Sequence, residues 1–255
     1  MNKAINHILS SPLPNAPHPI AFSILRVPFF LEPHYDENKP YIETNRQRLI
    51  SKWGGEQGWE RQKQRHDLKG RGEEAGIPYF NLDRLTSNTM ASHRLIQYVG
   101  KRYGLRVSEM LYDRLNVYYF VEGHALNDRP RLAAVAHETI DKVVKMLPKE
   151  EQTTDVMTEV EILNFLNSNQ GRREIENALQ ALDSMGVHGI PKFIIEGRRV
   201  VDGAATSDVF IDIFRDIEER GEVYGGPIFG EILGVSNDIV QRGSHSLENM
   251  VKAPL

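Results

Sequence analysis

The order of patterns along the chain predicts an α/β fold in which one sheet is interrupted by a large all-helical lobe. Three observations carry this: a β-rich run at 20–30, successive amphipathic helical patterns from 44 to 147, and a hairpin signature at 192–202 followed by a closing helix. Strands at both ends of a helical insertion imply that the flanks reunite as one sheet while the insertion folds by itself. The expected division is 1–40 and 151–220 for the α/β part, 41–150 for the lobe and 221–255 for a flexible tail.

Taken in order, Ala4, Ile5, Ile8 and Leu9 share one helical face, and Pro12 and Pro14 stop that helix. In IAFSILRVPFFLEP, apolar residues occupy both alternating sets, which predicts a buried interior strand that Pro28 ends. Helical periodicity then marks 44–53, 56–75, 88–103, 105–126 and 129–146. Asn88 is an N-cap candidate for the third of these, Gly104 and Gly123 close the third and fourth, and Pro130 fits the first turn of the fifth. Two further helices, VMTEVEILNFLNS and GRREIENALQALDSMG, precede KFIIE and RVVD, which flank a turn at Gly197-Arg198. Val209, Phe210, Ile213, Phe214 and Ile217 form the inner face of the last helix, over 207–220.

The 255 residues carry 31 Lys+Arg, 35 Asp+Glu and no cysteine, a formal net charge of −4. The missing cysteine excludes disulfides, thiolate metal ligands and thiol nucleophiles among these residues. Scattered basic residues and a mild negative charge exclude a nucleic-acid grip. No run reaches the ~20 apolar residues of a membrane helix, and the first residues lack a secretory core, so a cytoplasmic protein is expected. His93, His124 and His137 fall on separate predicted helices, and His137 with Asp141 is the one local two-ligand spacing, better read as a solvated face than as a metal site. The glycine-rich 221–234 lacks the Gly-Lys-Ser/Thr ending of a phosphate loop. The alternating charges of 60–74 read as a solvated helix face, and Tyr118, Tyr119 and Phe120 as core.

The most informative segment is MGVHGIPKFII at 185–195, where a glycine-flanked Ile190-Pro191 enters a strand. A cis bond there would leave the Ile190 backbone groups available to an extended peptide or small ligand; a trans-proline turn before an edge strand is the other reading.

With GVHGIPKFIIEGRRVVDGAATSDVFIDIF, the upstream segments RVPFFLEP, NLDRLTSNTMASHRLIQYV and LYDRLNVYYFVEGHALND resemble, in order, the DsbA-like thioredoxin-fold family, in particular its FrnE-like branch. The resemblance spans about 1–220 and implies a thioredoxin-like sheet with a helical insertion and a cis-proline groove formed by His188, Ile190, Pro191 and Phe29. The family opens with a first strand and Cys-Pro-x-Cys at the first helix start. MNKAINHIL is similar to the later part of that helix, so the first strand and the thiols are expected to be missing, leaving an exposed sheet edge through which two copies could pair. Related kappa-class glutathione transferases and hydroxychromene-carboxylate isomerases place a serine at that helix start; Ser10 and Ser11 lie at its far end, so glutathione gains no support and no cofactor is expected.

Three functions follow from the resemblance: a DsbA-like relative without thiol–disulfide exchange, a binding or dimerisation module using the proline groove, or an isomerase or transferase acting on a small molecule in a cleft with Asn88, His93 and Glu122 as candidate groups.

Overall fold

The computed structural model describes residues 1–39, 43–74 and 79–243. The chain divides into two compact units, one of Met1–Phe29, Gln97–Glu109 and Gly171–Leu255, the other of Phe30–Ile96 and Met110–Gln170. The helical unit thus begins before residue 41 and runs past 150, and the residues 97–109 group with the α/β unit.

In the α/β unit, helix α1 (Asn2–Ser10) buries Ala4, Ile5, Ile8 and Leu9, the face its spacing predicts. They pack with Phe210 and Phe214 of the closing helix, α10 (Ser207–Arg220), in one apolar cluster. Each of the isoleucine, leucine and phenylalanine side chains, fully buried, contributes about 1.5–3 kcal/mol. Glu218 of α10 accepts the Leu13 N–H at 2.9 Å and pairs with Arg215, whose Nη2 donates to the Ser11 carbonyl at 2.6 Å. The turn after α1 is therefore fixed to α10 by a buried carboxylate and its arginine.

A second cluster joins Ala178 and Leu182 of α9 (Arg172–Ser184) to Leu233 of α11 (Gly230–Leu233) and Ile239 of α12 (Asn237–Arg242). The expectation of a loose tail from 221 is corrected over 221–243: Phe229, Leu233, Val235 and Ile239 are buried, because these four apolar residues complete the cover over α9. The remaining 244–255 lies outside the described residues.

The sheet is a two-stranded antiparallel hairpin, β1 (Lys192–Ile195) and β2 (Arg199–Asp202), in register Phe193 with Val201 and Ile194 with Val200. The strand expected over 20–30 is corrected too: no ladder forms there among the described residues, and Phe22 alone is a bridge residue. β1 and β2 pair with each other, Pro28 has no N–H, and the Arg26 carbonyl accepts from the Gln97 side chain. The alternation nonetheless holds. Ile20, Phe22 and Ile24 pack on the α1–α10 cluster, while Leu25, Val27 and Phe29 pack on the α9–α11–α12 cluster.

Between Leu25 and Val27, Arg26 makes a bidentate pair with Glu109 of α6 (Leu105–Asn116), Nε to Oε1 and Nη2 to Oε2 both at 2.8 Å. The Glu109 side chain is 7% exposed.

The helical unit contains α2 (Asn45–Lys52), α3 (Glu56–His66), α4 (Leu68–Glu74), α7 (Arg129–Met146) and α8 (Glu159–Asn167). It also holds the first half of α5 (Met90–Tyr103) and the second half of α6. Capping boxes at Thr44 and Thr158 start α2 and α8, and Asp128 caps α7. The predicted helix over 56–75 breaks at Asp67, which takes φ +38°. The fourth helical pattern ends in a π-helical turn at Val117–Val121, closed by Gly123 at φ +85°, where a Cβ would stand 2.6 Å from Asn81 Nδ2. Buried Arg94 donates to the carbonyls of Phe165 at 3.0 Å, in the last turn of α8, and of Gln170 at 2.8 Å, just beyond it.

Breaking the Arg26 pair leaves a carboxylate without a countercharge in the core. Arg26→Ala is expected to cost about 3 kcal/mol and lower Tm by roughly 6–10 °C, with Arg26→Met/Glu109→Met recovering most of it. Thermal unfolding followed by circular dichroism checks both; equal losses in the single and double variants would refute the account.

Candidate functional site

The loop that carries the predicted groove is delivered by the end of α9. Met185 N–H bonds to Ala181 O and Val187 N–H to Leu182 O, with Gly186 at φ +68° in the left-handed position that closes a helix. Val187 is buried in the α9 cluster and anchors the loop. The next four residues, His188, Gly189, Ile190 and Pro191, are all exposed, Ile190 at 52%. The Ile190-Pro191 peptide bond is cis. Pro191 O accepts the Gly203 N–H at 2.9 Å, which ties the loop to the end of β2. The backbone N–H and C=O groups of His188, Gly189 and Ile190 have no partner among the described residues. Phe29, assigned to the same groove from sequence, is partly buried in the cluster of Val187 and Ile194.

The hairpin beyond the loop is held rigid by charge. Glu196 and Gly197 occupy φ +48° and +68°, and Arg198 N–H closes the turn on Ile195 O at 3.1 Å. A left-handed glutamate is strained, and here its carboxylate, 1% exposed, is bound from three sides. Arg199 Nε lies at 3.1 Å, Arg220 Nη2 at 2.9 Å, and Tyr224 N–H at 3.2 Å. Asp216 of α10 pairs with Arg199 as well and lies 3.5 Å from Arg220, whose guanidinium stacks 4.0 Å from the Tyr224 ring. The turn of the hairpin, α10 and the segment after it are thus locked around one pair of acids.

The other predicted groups lie in the helical unit, each held by different partners. Asn88 falls just outside α5: its Oδ1 accepts the Met90 N–H at 2.8 Å and its Nδ2 donates to Tyr35 O at 2.6 Å. It is buried and serves the helix start. His93 is half-buried, its ring 5.2 Å from that of Phe30. Glu122 pairs with Arg114 at 2.9 Å. His137 bonds the Met157 carbonyl at 2.8 Å, Asp141 pairs with Lys145, and no cluster of three metal-ligating side chains occurs among the described residues.

Against solved structures, the chain is similar to a probable DsbA oxidoreductase from Streptomyces coelicolor, at a TM-score of 0.56 and 21% identity, over 78% of this chain and 76% of that one. The fold is DsbA-like thioredoxin. No protein-family profile matches the sequence, and no curated protein matches it.

This DsbA-like fold has no cysteine in its 255 residues, so none of its own side chains supplies the thiolate that disulfide exchange requires. What it does present is a short stretch of exposed, unpaired backbone beside a braced hairpin. Sequence reasoning found that loop from glycine and proline alone. It missed the Glu196–Asp216–Arg199–Arg220 group, whose members are spread over 25 positions; an acid in a predicted turn ahead of two arginines was the available signal.

The Asp216 carboxyl is held below the ordinary carboxylate range, foremost by the Arg199 hydrogen bond, against a smaller opposing effect of burial. Its folded pKa being lower than its unfolded one, the stabilisation is fully present above the unfolded value of about 3.9 and is lost as pH falls through the lowered folded value. Wild type should therefore exceed Asp216→Asn in urea resistance at pH 7, with the gap narrowing as pH falls below about 4. Far-ultraviolet dichroism reads this; a gap that is absent at pH 7 or widens on acidification contradicts the assignment.

Proposed function

We propose that this chain is a non-redox member of the DsbA-like thioredoxin fold that binds extended polypeptide at the loop of His188, Gly189, Ile190 and Pro191. The single observation that supports this reading is the run of backbone at His188, Gly189 and Ile190 that has no hydrogen-bond partner among the described residues, exposed next to β1. An incoming strand can exchange main-chain hydrogen bonds with such a run, and the exposed Ile190 side chain offers it an apolar contact. The absence of cysteine separates binding from exchange: a bound substrate strand meets no attacking thiolate from these residues. A small-molecule isomerase or transferase gains nothing comparable, since Asn88 is spent on a helix start and Glu122 on Arg114.

The test uses a permanently unfolded probe, fluorescently labelled reduced and carboxymethylated α-lactalbumin, measured by anisotropy. Saturable binding is expected, weakened about tenfold, or ~1.4 kcal/mol, by Ile190→Asp. Insulin reduction should stay at the uncatalysed rate. Absence of saturable probe binding, or an Ile190→Asp protein that binds as well as wild type, would overturn the proposal.

A further inference from the structure

The helical unit contains a recess of about 680 Å³ that the function proposed above does not use. This is within the ~300–1,000 Å³ range of small-ligand sites. At its edge stands Arg129, the first residue of α7, half-buried. Its Nη1 donates to Asn167 Oδ1 at 3.2 Å and its Nη2 to Asn38 Oδ1 at 2.6 Å. Both acceptors are neutral amides, and no carboxylate pairs with this guanidinium among the described residues. Two of five N–H donors are used, so three remain. The arrangement fixes the fork in direction without neutralising it, the condition under which an arriving anion gains a charge-assisted, bidentate bond.

The surroundings narrow the anion. Arg131 and Asp128 also line the recess and engage each other, Nε to Oδ2 at 3.6 Å, and Arg131 Nη1 bonds His124 Nδ1 at 2.7 Å. An arginine only donates, so His124 Nδ1 accepts, and the ring carries its proton on Nε2. Glu37 is a second carboxylate in the lining. Arg131 is engaged by Asp128, so Arg129 is the lining cation that has no carboxylate partner among the described residues; one carboxylate charge matches it, and the nearby Glu37 carboxylate disfavours the second charge of a phosphate dianion. Leu85, Ala125 and Leu163 supply apolar wall for the rest of a ligand.

We infer that this recess binds a small monocarboxylate with an apolar body, its carboxylate on the guanidinium of Arg129 as oriented by Asn38 and Asn167. The inference is independent of peptide binding at Ile190. It is tested on the full chain by calorimetry and amide-shift titration, with benzoate as probe, benzamide as the uncharged control and phenyl phosphate as the dianion. Benzoate should bind saturably, with shifts around the start of α7, and benzamide should not. Arg129→Gln removes the cation, and Asn167→Asp pairs it internally while preserving side-chain shape; each should weaken benzoate at least tenfold, with unfolding curves showing both variants folded. Absence of saturable benzoate binding to the wild type, unchanged affinity in folded Arg129→Gln or Asn167→Asp, or tighter binding of phenyl phosphate than of benzoate would overturn the assignment.

Discussion

The α/β unit depends on one constraint: the extended segment at 20–29 must supply apolar side chains to two opposed clusters at once. Period two alone achieves this, since Ile20, Phe22 and Ile24 point to α1 and α10 while Leu25, Val27 and Phe29 point to α9, α11 and α12. The hairpin obeys the same rule, with Phe193 and Ile195 on the first cluster and Ile194 on the second. A one-residue slip would exchange the two faces of either segment, so the register is set by burial even where no ladder fixes it. The Arg26–Glu109 pair stands two residues past Ile24, between Leu25 and Val27, and holds the segment to α6 by side chains.

Charge is used in this unit as bracing, and the acids rather than the arginines are buried. Glu109, Glu196 and Glu218 have side chains 7%, 1% and 1% exposed, and every one is met by at least one arginine. A buried carboxylate lacking such a partner costs several kcal/mol, which makes each pair a strong statement of position even where its net stabilisation is small. Through Glu196 the hairpin turn keeps a left-handed glutamate in place, and through Pro191 and Gly203 that rigidity reaches the exposed loop.

Helices were legible in the sequence because their apolar spacing needs no partner to be recognised: Ala4, Ile5, Ile8 and Leu9 on α1, and Leu132, Ala136, Ile140 and Val143 on α7, are buried as the period requires. The break at Asp67 and the π turn at Val117–Val121 were not, since each changes the local backbone without disturbing composition. The segment at 20–30 shows the limit from the other side: its two apolar faces each pack, partly buried, on a cluster, but a ladder is a property of two segments, and the sequence of one cannot supply the other. For the site the division is similar. The exposed loop of His188, Ile190 and Pro191 was legible because glycine and proline mark a loop locally; Phe29, read as part of the groove, packs partly buried on the cluster of Val187 and Ile194. Arg129 was seen only as a helix start, because its partners Asn38 and Asn167 lie 91 and 38 positions away.

The loop's chemistry also bounds what binding there can be. A hydrogen bond exchanged between loop backbone and an incoming strand contributes only about 0.5–1.5 kcal/mol net, and burial of one isoleucine side chain adds roughly 1.5–3 kcal/mol at most. Against these stands the ordering of the incoming chain, about 1–2 kcal/mol for each residue fixed. On the proposed reading, three residues whose backbone has no partner among the described residues and one apolar contact would give a weak, sequence-tolerant grip. In a fold with a thiolate beside such a loop, weak capture would be sufficient, because a covalent step could follow it. Among these 255 residues no thiol exists to make that step. Stronger retention of a polypeptide must then come from multiplicity, a longer strand register or a second contact on the same chain, and not from tighter bonding at Ile190.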